Sequence, residues 1–188
     1  IIDSRFSHSG NDAVDLMTAR AHISGSTFVG NGDKGISVGE NSHLFAVNNC
    51  LVGNLIGVES KDRSTALLFN QTLKDNEIGL HAYRKNWRYG TGGTIFLAKS
   101  MISGSDDPVS AKKESSIHLF DSYLDRPLSG KRITAIAVDG ESRVQATKAT
   151  VLPVNDTTAP AISQALKNLP AATLAQVAAD RRQAICDG

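Results

Sequence analysis

Apolar residues along this chain come in short β-branched runs, punctuated by Gly and Asn. Gly35-Ile36-Ser37-Val38, Gly57-Val58-Glu59-Ser60 and Gly79-Leu80-His81-Ala82 open three segments whose glycines recur every 22 residues. Ala13-Val14-Asp15-Leu16 falls one period earlier, and Phe6 lies 22 residues before Phe28. A fixed period in the low twenties marks a solenoid in which each repeat is one coil. No single coil can bury its own apolar side chains; it buries them against the coils on either side.

Each coil carries a second, longer strand: His43 to Asn48, Thr65 to Asn70, Thr94 to Lys99, Ser116 to Asp121 and Arg143 to Lys148. Side chains alternate faces along a strand. One set is Leu44/Ala46, Ala66/Leu68, Ile95/Leu97 and Ile117/Leu119; the other is Phe45/Val47, Leu67/Phe69, Phe96/Ala98 and His118/Phe120. The first set is assigned inward because Asn48 and Asn70 continue its alternation, and stacked Asn amides satisfy one another. The second set then forms an external apolar stripe that needs a cover. Phe45, Leu67, Phe69 and Phe96 are the expected contacts for another segment, a second copy or another protein.

The fifth coil starts near Pro108, about seven residues late, and the surplus is the loop Asn86-Trp87-Arg88-Tyr89-Gly90-Thr91-Gly92-Gly93. Insertions in a repeat map to one edge of a solenoid and often to its binding face. A sixth, degenerate coil is expected over Ile133 to Thr150. The solenoid is predicted to occupy residues 1–152, with a linker and helical tail over residues 153–188. In that tail Ile162, Leu166 and Leu169 fall on one helical face, and Pro170 opens a second helix with Leu174, Val177 and Ile185.

The 188 residues suffice for one domain with a core, and 20 basic against 19 acidic residues argue against a nucleic-acid footprint. No apolar run approaches the length needed to cross a membrane as a helix. Two cysteines give no disulfide framework and no metal-ligand spacing. Cys50 is read as a packing thiol in the row of Phe28, Thr72, Met101 and Tyr123, not as half of a bridge to Cys186. Ile1 to Phe6 reads as the end of a coil already under way, so the chain is expected to be a processed or truncated piece, or one part of a larger polypeptide.

The Gly-Ile/Val/Leu openings at 35, 57 and 79, the Asn48/Asn70 pair and Ser-Gly-Asn-Asp-Ala-Val-Asp-Leu at 9–16 resemble the right-handed parallel β-helix of the pectin-lyase-like superfamily. Tyr83-Arg84-Lys85-Asn86 with its Gly-rich loop resembles β-helix repeats of bacterial surface and secreted proteins. The resemblance covers about residues 1–150 and implies an all-β parallel β-helix of about six coils. Members of the superfamily include polysaccharide lyases, epimerases, hydrolases and non-enzymatic scaffolds, and fold alone does not choose among them. The Gly-His-Gly and Arg-Ile-Lys strings of polygalacturonases are absent, and Asn11 stands where an acid is expected.

The period also aligns outward ladders. Asp15, Ser37, Glu59, His81 and Ser110 form one, and Met17, Gly39, Lys61, Tyr83 and Lys112 the next. At the turn come Glu40, Asp62, Arg84 and Lys113, then Asn41, Arg63, Lys85 and Glu114. A hydrolase would use Asp15 and Glu59, two coils and roughly 9–10 Å apart at the ordinary strand spacing. A lyase or epimerase acting on a uronate would draw its base and its carboxylate neutraliser from Lys61, His81, Tyr83 and Arg84, with Asp15 and Glu59 holding Ca²⁺. A binding module needs only charge and a flat ring, which Arg63, Arg84, Lys85, Trp87 and Tyr89 supply. Asp12 and Asp15 are the candidate metal ligands, although two acids do not make a cage. The structural alternative is that Glu59, Lys61, Asp62 and Arg63 form a solvated face of salt-bridged neighbours. The expectation is therefore a secreted or envelope-associated module that contacts polysaccharide or a protein partner through its solenoid face. The alternatives are a polysaccharide-active enzyme and a structural part of a longer β-helix.

Overall fold

The structure is a computed structural model that describes residues 1–126, Leu128, Ile136–Val138, Arg143–Val144 and Cys186. Strand β1 (Arg5–Ser7) precedes a first coil of β2 (Val14–Met17), β3 (Arg20–Ser24) and β4 (Thr27–Val29). The second coil is β5 (Lys34–Gly39), β6 (His43–Val47) and β7 (Cys50–Val52), and the third is β8 (Ile56–Lys61), β9 (Thr65–Phe69) and β10 (Thr72–Lys74). The fourth is β11 (Ile78–Tyr83), β12 (Thr94–Ala98) and β13 (Met101–Ser103); the fifth is β14 (Asp107–Ala111), β15 (Ser116–Phe120) and β16 (Tyr123–Leu124). β17 (Ile136–Val138) and β18 (Arg143–Val144) add part of a further turn. Among the described residues, corresponding strands stack in parallel into three sheets of five, six and seven strands. The chain is thus an all-β parallel β-solenoid of about five turns.

The register follows the 22-residue period. Ile36 pairs with Val58 and Val58 with Leu80, while the seven-residue insertion brings Val109 onto Leu80. Phe6 stacks on Phe28 with ring centroids 5.2 Å apart. The interior holds Ile36, Val58, Leu80 and Val109 from the five-stranded sheet and Phe28, Leu51, Leu73, Ile102 and Leu124 from the seven-stranded one. Leu44/Ala46, Ala66/Leu68, Ile95/Leu97 and Ile117/Leu119 from the six-stranded sheet complete it, which is the set assigned inward from sequence. The periodic glycines mark close approach between coils: a Cβ on Gly57 would lie 2.6 Å from the Gly79 carbonyl oxygen, so no side chain fits.

The reason given for that inward assignment does not hold. Asn48 and Asn70 have φ of 55° and 49° and sit half-buried at a corner, where the left-handed conformation ends the strand alternation. The Asn70 Nδ2 does donate to Asn48 Oδ1, at 2.7 Å. The fully buried asparagine ladder is a different one, Asn31–Asn54–Asn76 at the opposite corner. There Asn31 Nδ2 donates to Asn54 Oδ1 at 2.7 Å and Asn54 Nδ2 to Asn76 Oδ1 at 2.9 Å. The same side chains accept from backbone N–H groups of the preceding coil, Asn31 N to Asn54 and Asn54 N to Asn76.

Other placements also differ from expectation. Arg143–Val144 stacks on Tyr123–Leu124 in the seven-stranded sheet, and Ile136–Val138 takes the place beside Ser116–Phe120 that was assigned to Arg143–Lys148. Irregular coil length after Leu124 defeats extrapolation by 22. The expected helices carrying Ile162, Leu166, Leu169, Leu174, Val177 and Ile185 lie outside the described residues. Cys50 shares an outward row with Thr27, Thr72, Met101 and Tyr123, one position off Phe28, which stacks on Leu51.

Cys50 is not a packing thiol. It is bonded to Cys186 across a sequence separation of 136, with Cα atoms 5.6 Å apart, and is only 2% exposed. The repeat pattern could not reveal this, because a partner outside the repeats has no periodic position. A loop of this length is expected to stabilise the fold by restricting the unfolded chain. Cys50→Ser should lower the unfolding free energy by about 2–5 kcal/mol, measured by urea denaturation. Dithiothreitol should produce a similar loss in the unsubstituted chain; identical midpoints in all three samples would show that the bond contributes nothing.

Candidate functional site

The outward row of the five-stranded sheet runs Asp15, Ser37, Glu59, His81 and Ser110 in register, as the spacing predicts. Tyr83 pairs with Lys61 two residues further on. These neighbours form a connected polar cluster. Glu59 Oε2 is 2.9 Å from His81 Nδ1, and Glu59 Oε1 accepts from Lys61 Nζ at 3.5 Å. Lys61 Nζ also donates to Ser37 Oγ at 2.9 Å in the coil before it. Gly39 makes that reach possible, since a Cβ there would lie 2.7 Å from Lys61 Cε. The His81 ring stacks on Tyr83 at 4.8 Å.

This face is not the solvated ladder considered from sequence. Glu59 is 2% exposed, Lys61 5%, and Ser37 and Asp62 are fully buried, whereas Arg63 stands in water. Side chains one strand spacing apart close over one another, and the vacant position at Gly39 lets the lysine stem lie flat. Asp15 is exposed in the first coil and has Ser37 between it and Glu59. The structure therefore brings Glu59, Lys61, His81 and Tyr83 together and leaves Asp15 apart.

Burial, and then the negative charge of Glu59, pushes the Tyr83 hydroxyl up to about 12. Tyr83 consequently stays protonated near neutrality and offers a donor, not a base. For Lys34, burial pulls downward, but its hydrogen bond to Asp33 and the charges of Glu59 and Asp12 outweigh that and raise its pKa. Asp12 is engaged with Lys34, 3.3 Å away. Among the described residues no three His, Cys, Asp or Glu side chains gather as metal ligands.

The second assembly is the inserted loop at the corner between the five- and six-stranded sheets. In the second, third and fifth coils this corner is a pair of left-handed residues, Glu40-Asn41, Asp62-Arg63 and Lys113-Glu114, and in the first it is the single left-handed residue Thr18. In the fourth coil it is replaced by residues 84–93, which contain one 3-10 turn over Trp87–Tyr89. The loop is tied down from beneath. Asp62 Oδ1 accepts from the Lys85 and Asn86 N–H groups at 2.7 Å each, and the Arg63 N–H donates to the Thr91 and Gly92 carbonyls. From above, Arg84 Nη1 donates to Glu114 Oε2 at 2.7 Å and to the Gly90 carbonyl at 3.1 Å. Asn86 caps the turn by accepting from the Arg88 N–H. Trp87 is left 76% exposed at the tip. Arg63, Lys85, Arg88, Lys112 and Lys113 are all exposed on or beside this corner, and Tyr89 is half-buried.

Sequence reasoning found the loop and its aromatic residues but missed its anchor. Asp62 was grouped with the solvated charges; the available signal was a short acid one coil below the loop's Lys85-Asn86 backbone. Arg84 serves as a strut for the loop, not as part of the Glu59 cluster. A scan against protein-family models finds no match to this chain, and a search of curated proteins finds no relative.

The Glu59 cluster is expected to carry stability. Removing one member of a buried pair strands the other charge at about 3–5 kcal/mol, so Glu59→Ala should destabilise strongly in thermal or urea unfolding. Replacing both charges, Glu59→Leu with Lys61→Met, should recover most of that loss. A double variant no more stable than Glu59→Ala alone would contradict the pairing.

Proposed function

We propose that this chain is a binding module of an extracytoplasmic protein, secreted or attached to the cell envelope, that holds a polysaccharide on the corner loop of its fourth coil. The observation that carries this reading is Trp87, 76% exposed on a loop fixed by Asp62, Arg84 and Asn86. A large ring in water has no folding role there, and a flat apolar surface on a rigid base suits the face of a sugar ring. Lys85 and Tyr89 on the same loop, and Arg63 on the coil beneath it, would supply polar contacts. The Cys50–Cys186 bond supports an oxidising compartment. The three-sided coil with its asparagine ladder supports the likeness to pectin-lyase-like β-helices, in which such surfaces meet carbohydrate.

A second reading, a polysaccharide lyase, epimerase or hydrolase, draws on the Glu59–His81 hydrogen bond beside Lys61 and Tyr83. Burial of Glu59 and Lys61 weighs against it, because a reacting sugar must reach the groups that move its protons.

Trp87→Ala tests the binding reading on a glycan array and by titration against any saccharide that the unsubstituted chain retains. The affinity should fall about tenfold or more, with thermal stability unchanged because the side chain is exposed. Retained affinity in Trp87→Ala, or no saccharide bound by the unsubstituted chain, would overturn it.

A further inference from the structure

We infer that the outer apolar stripe of the six-stranded sheet is covered by this chain's own residues 145–185, drawn back along the solenoid by the Cys50–Cys186 bond. This inference is independent of the saccharide reading. The stripe is continuous in register: His22, Phe45, Leu67, Phe96 and His118 form one outward row, and Val47, Phe69, Ala98 and Phe120 the next. Its rings meet across coils, Phe45 with Phe69 at 5.7 Å and Phe96 with His118 at 4.8 Å.

Burial along the stripe is uneven, and the unevenness points to the disulfide. Phe45 and Val47 lie outside the core cluster yet are only 6% and 3% exposed, whereas Leu67, Phe69 and Phe96 are half-buried. Around the adjacent corner, the outward side chains of Cys50 and Thr72 are 2% and 6% exposed. Leu67 and Phe96 occupy Phe45's row and Phe69 occupies Val47's, so it is position along the column that differs, and the deepest burial falls beside the point where Cys186 is fastened.

Chain length supplies the occupant. The chain passes through β18 in the last partial turn and is fixed again at β7, four strand steps away in the seven-stranded sheet. Four steps span roughly 19 Å, which about six extended residues would bridge. The interval from 145 to 185 holds 41 residues, among them Ile162, Leu166, Leu169, Leu174 and Val177. A segment tied at both ends acts at an effective concentration in the millimolar range, which a second copy or a separate protein does not reach in dilute solution.

The test places the photo-crosslinker benzoylphenylalanine at Phe69, and separately at Leu67, in the full oxidised chain. Peptide mapping then identifies adducts in a mixture of ¹⁵N-labelled and unlabelled protein. The expected result is adducts to peptides from 145–185 of the same isotope, in excess of mixed-isotope adducts by about tenfold or more. Circular dichroism and the intact disulfide mass verify folding of each probe variant. Mixed-isotope adducts alone would identify a second copy as the occupant and overturn the inference. Quenched probe with no adduct at both positions would leave the stripe bare and overturn it equally.

Discussion

The molecule depends on backbone corners that must be closed as they stack. A solenoid turns its chain three times per coil, and each turn presents N–H and C=O groups to the interior that no strand partner reaches. Here polar side chains of one coil supply the partner for the coil before it. Asn54 accepts from the Asn31 backbone while its own amide donates to the Phe28 carbonyl, and Asn76 repeats the arrangement toward Asn54 and the Leu51 carbonyl. At the other corners Ser42, Ser64, Asn49, Ser100 and Ser122 accept backbone N–H groups in the same way. With the corners satisfied, the apolar rows come into register and bury one another.

The stacking then determines what a surface position can become. Adjacent coils place outward side chains close enough to exclude water by mutual contact, which is why Glu59, Lys61 and Ser37 are buried although their side chains point away from the core. The same constraint turns Asp62 from a surface charge into the platform under an inserted loop. The fourth coil replaces the short left-handed corner with an insertion, and its extra residues are held by two acids and a backbone carbonyl from the coils on both sides. The loop gains a fixed shape, and Trp87 is left facing water.

Much of this was legible from the chain alone, for a physical reason. Periodicity in sequence becomes adjacency in space, so Gly35, Gly57 and Gly79 located the coils, and Asp15, Ser37, Glu59, His81 and Ser110 were aligned before their contacts were seen. What escaped was whatever periodicity does not encode. Left-handed corners break the alternation of a strand, so spacing alone points Asn48 and Asn70 inward and does not single out Asn31, Asn54 and Asn76. Burial by neighbours is set by side-chain reach, as with Lys61 over Gly39, and spacing does not report it. The Cys50–Cys186 bond joins a repeat to a segment outside the repeats, where the period has no hold.

The most direct measurement of the central claim is the unfolding free energy of Asn54→Ala, together with amide exchange at Asn31. Loss of this side chain removes the acceptor that the buried Asn31 N–H and Asn31 Nδ2 share, each at about 1–3 kcal/mol. The account predicts a fall in stability of at least about 2 kcal/mol, with loss of protection at Asn31. A change within about 0.5 kcal/mol, as for an ordinary surface site, with Asn31 still protected, would contradict it.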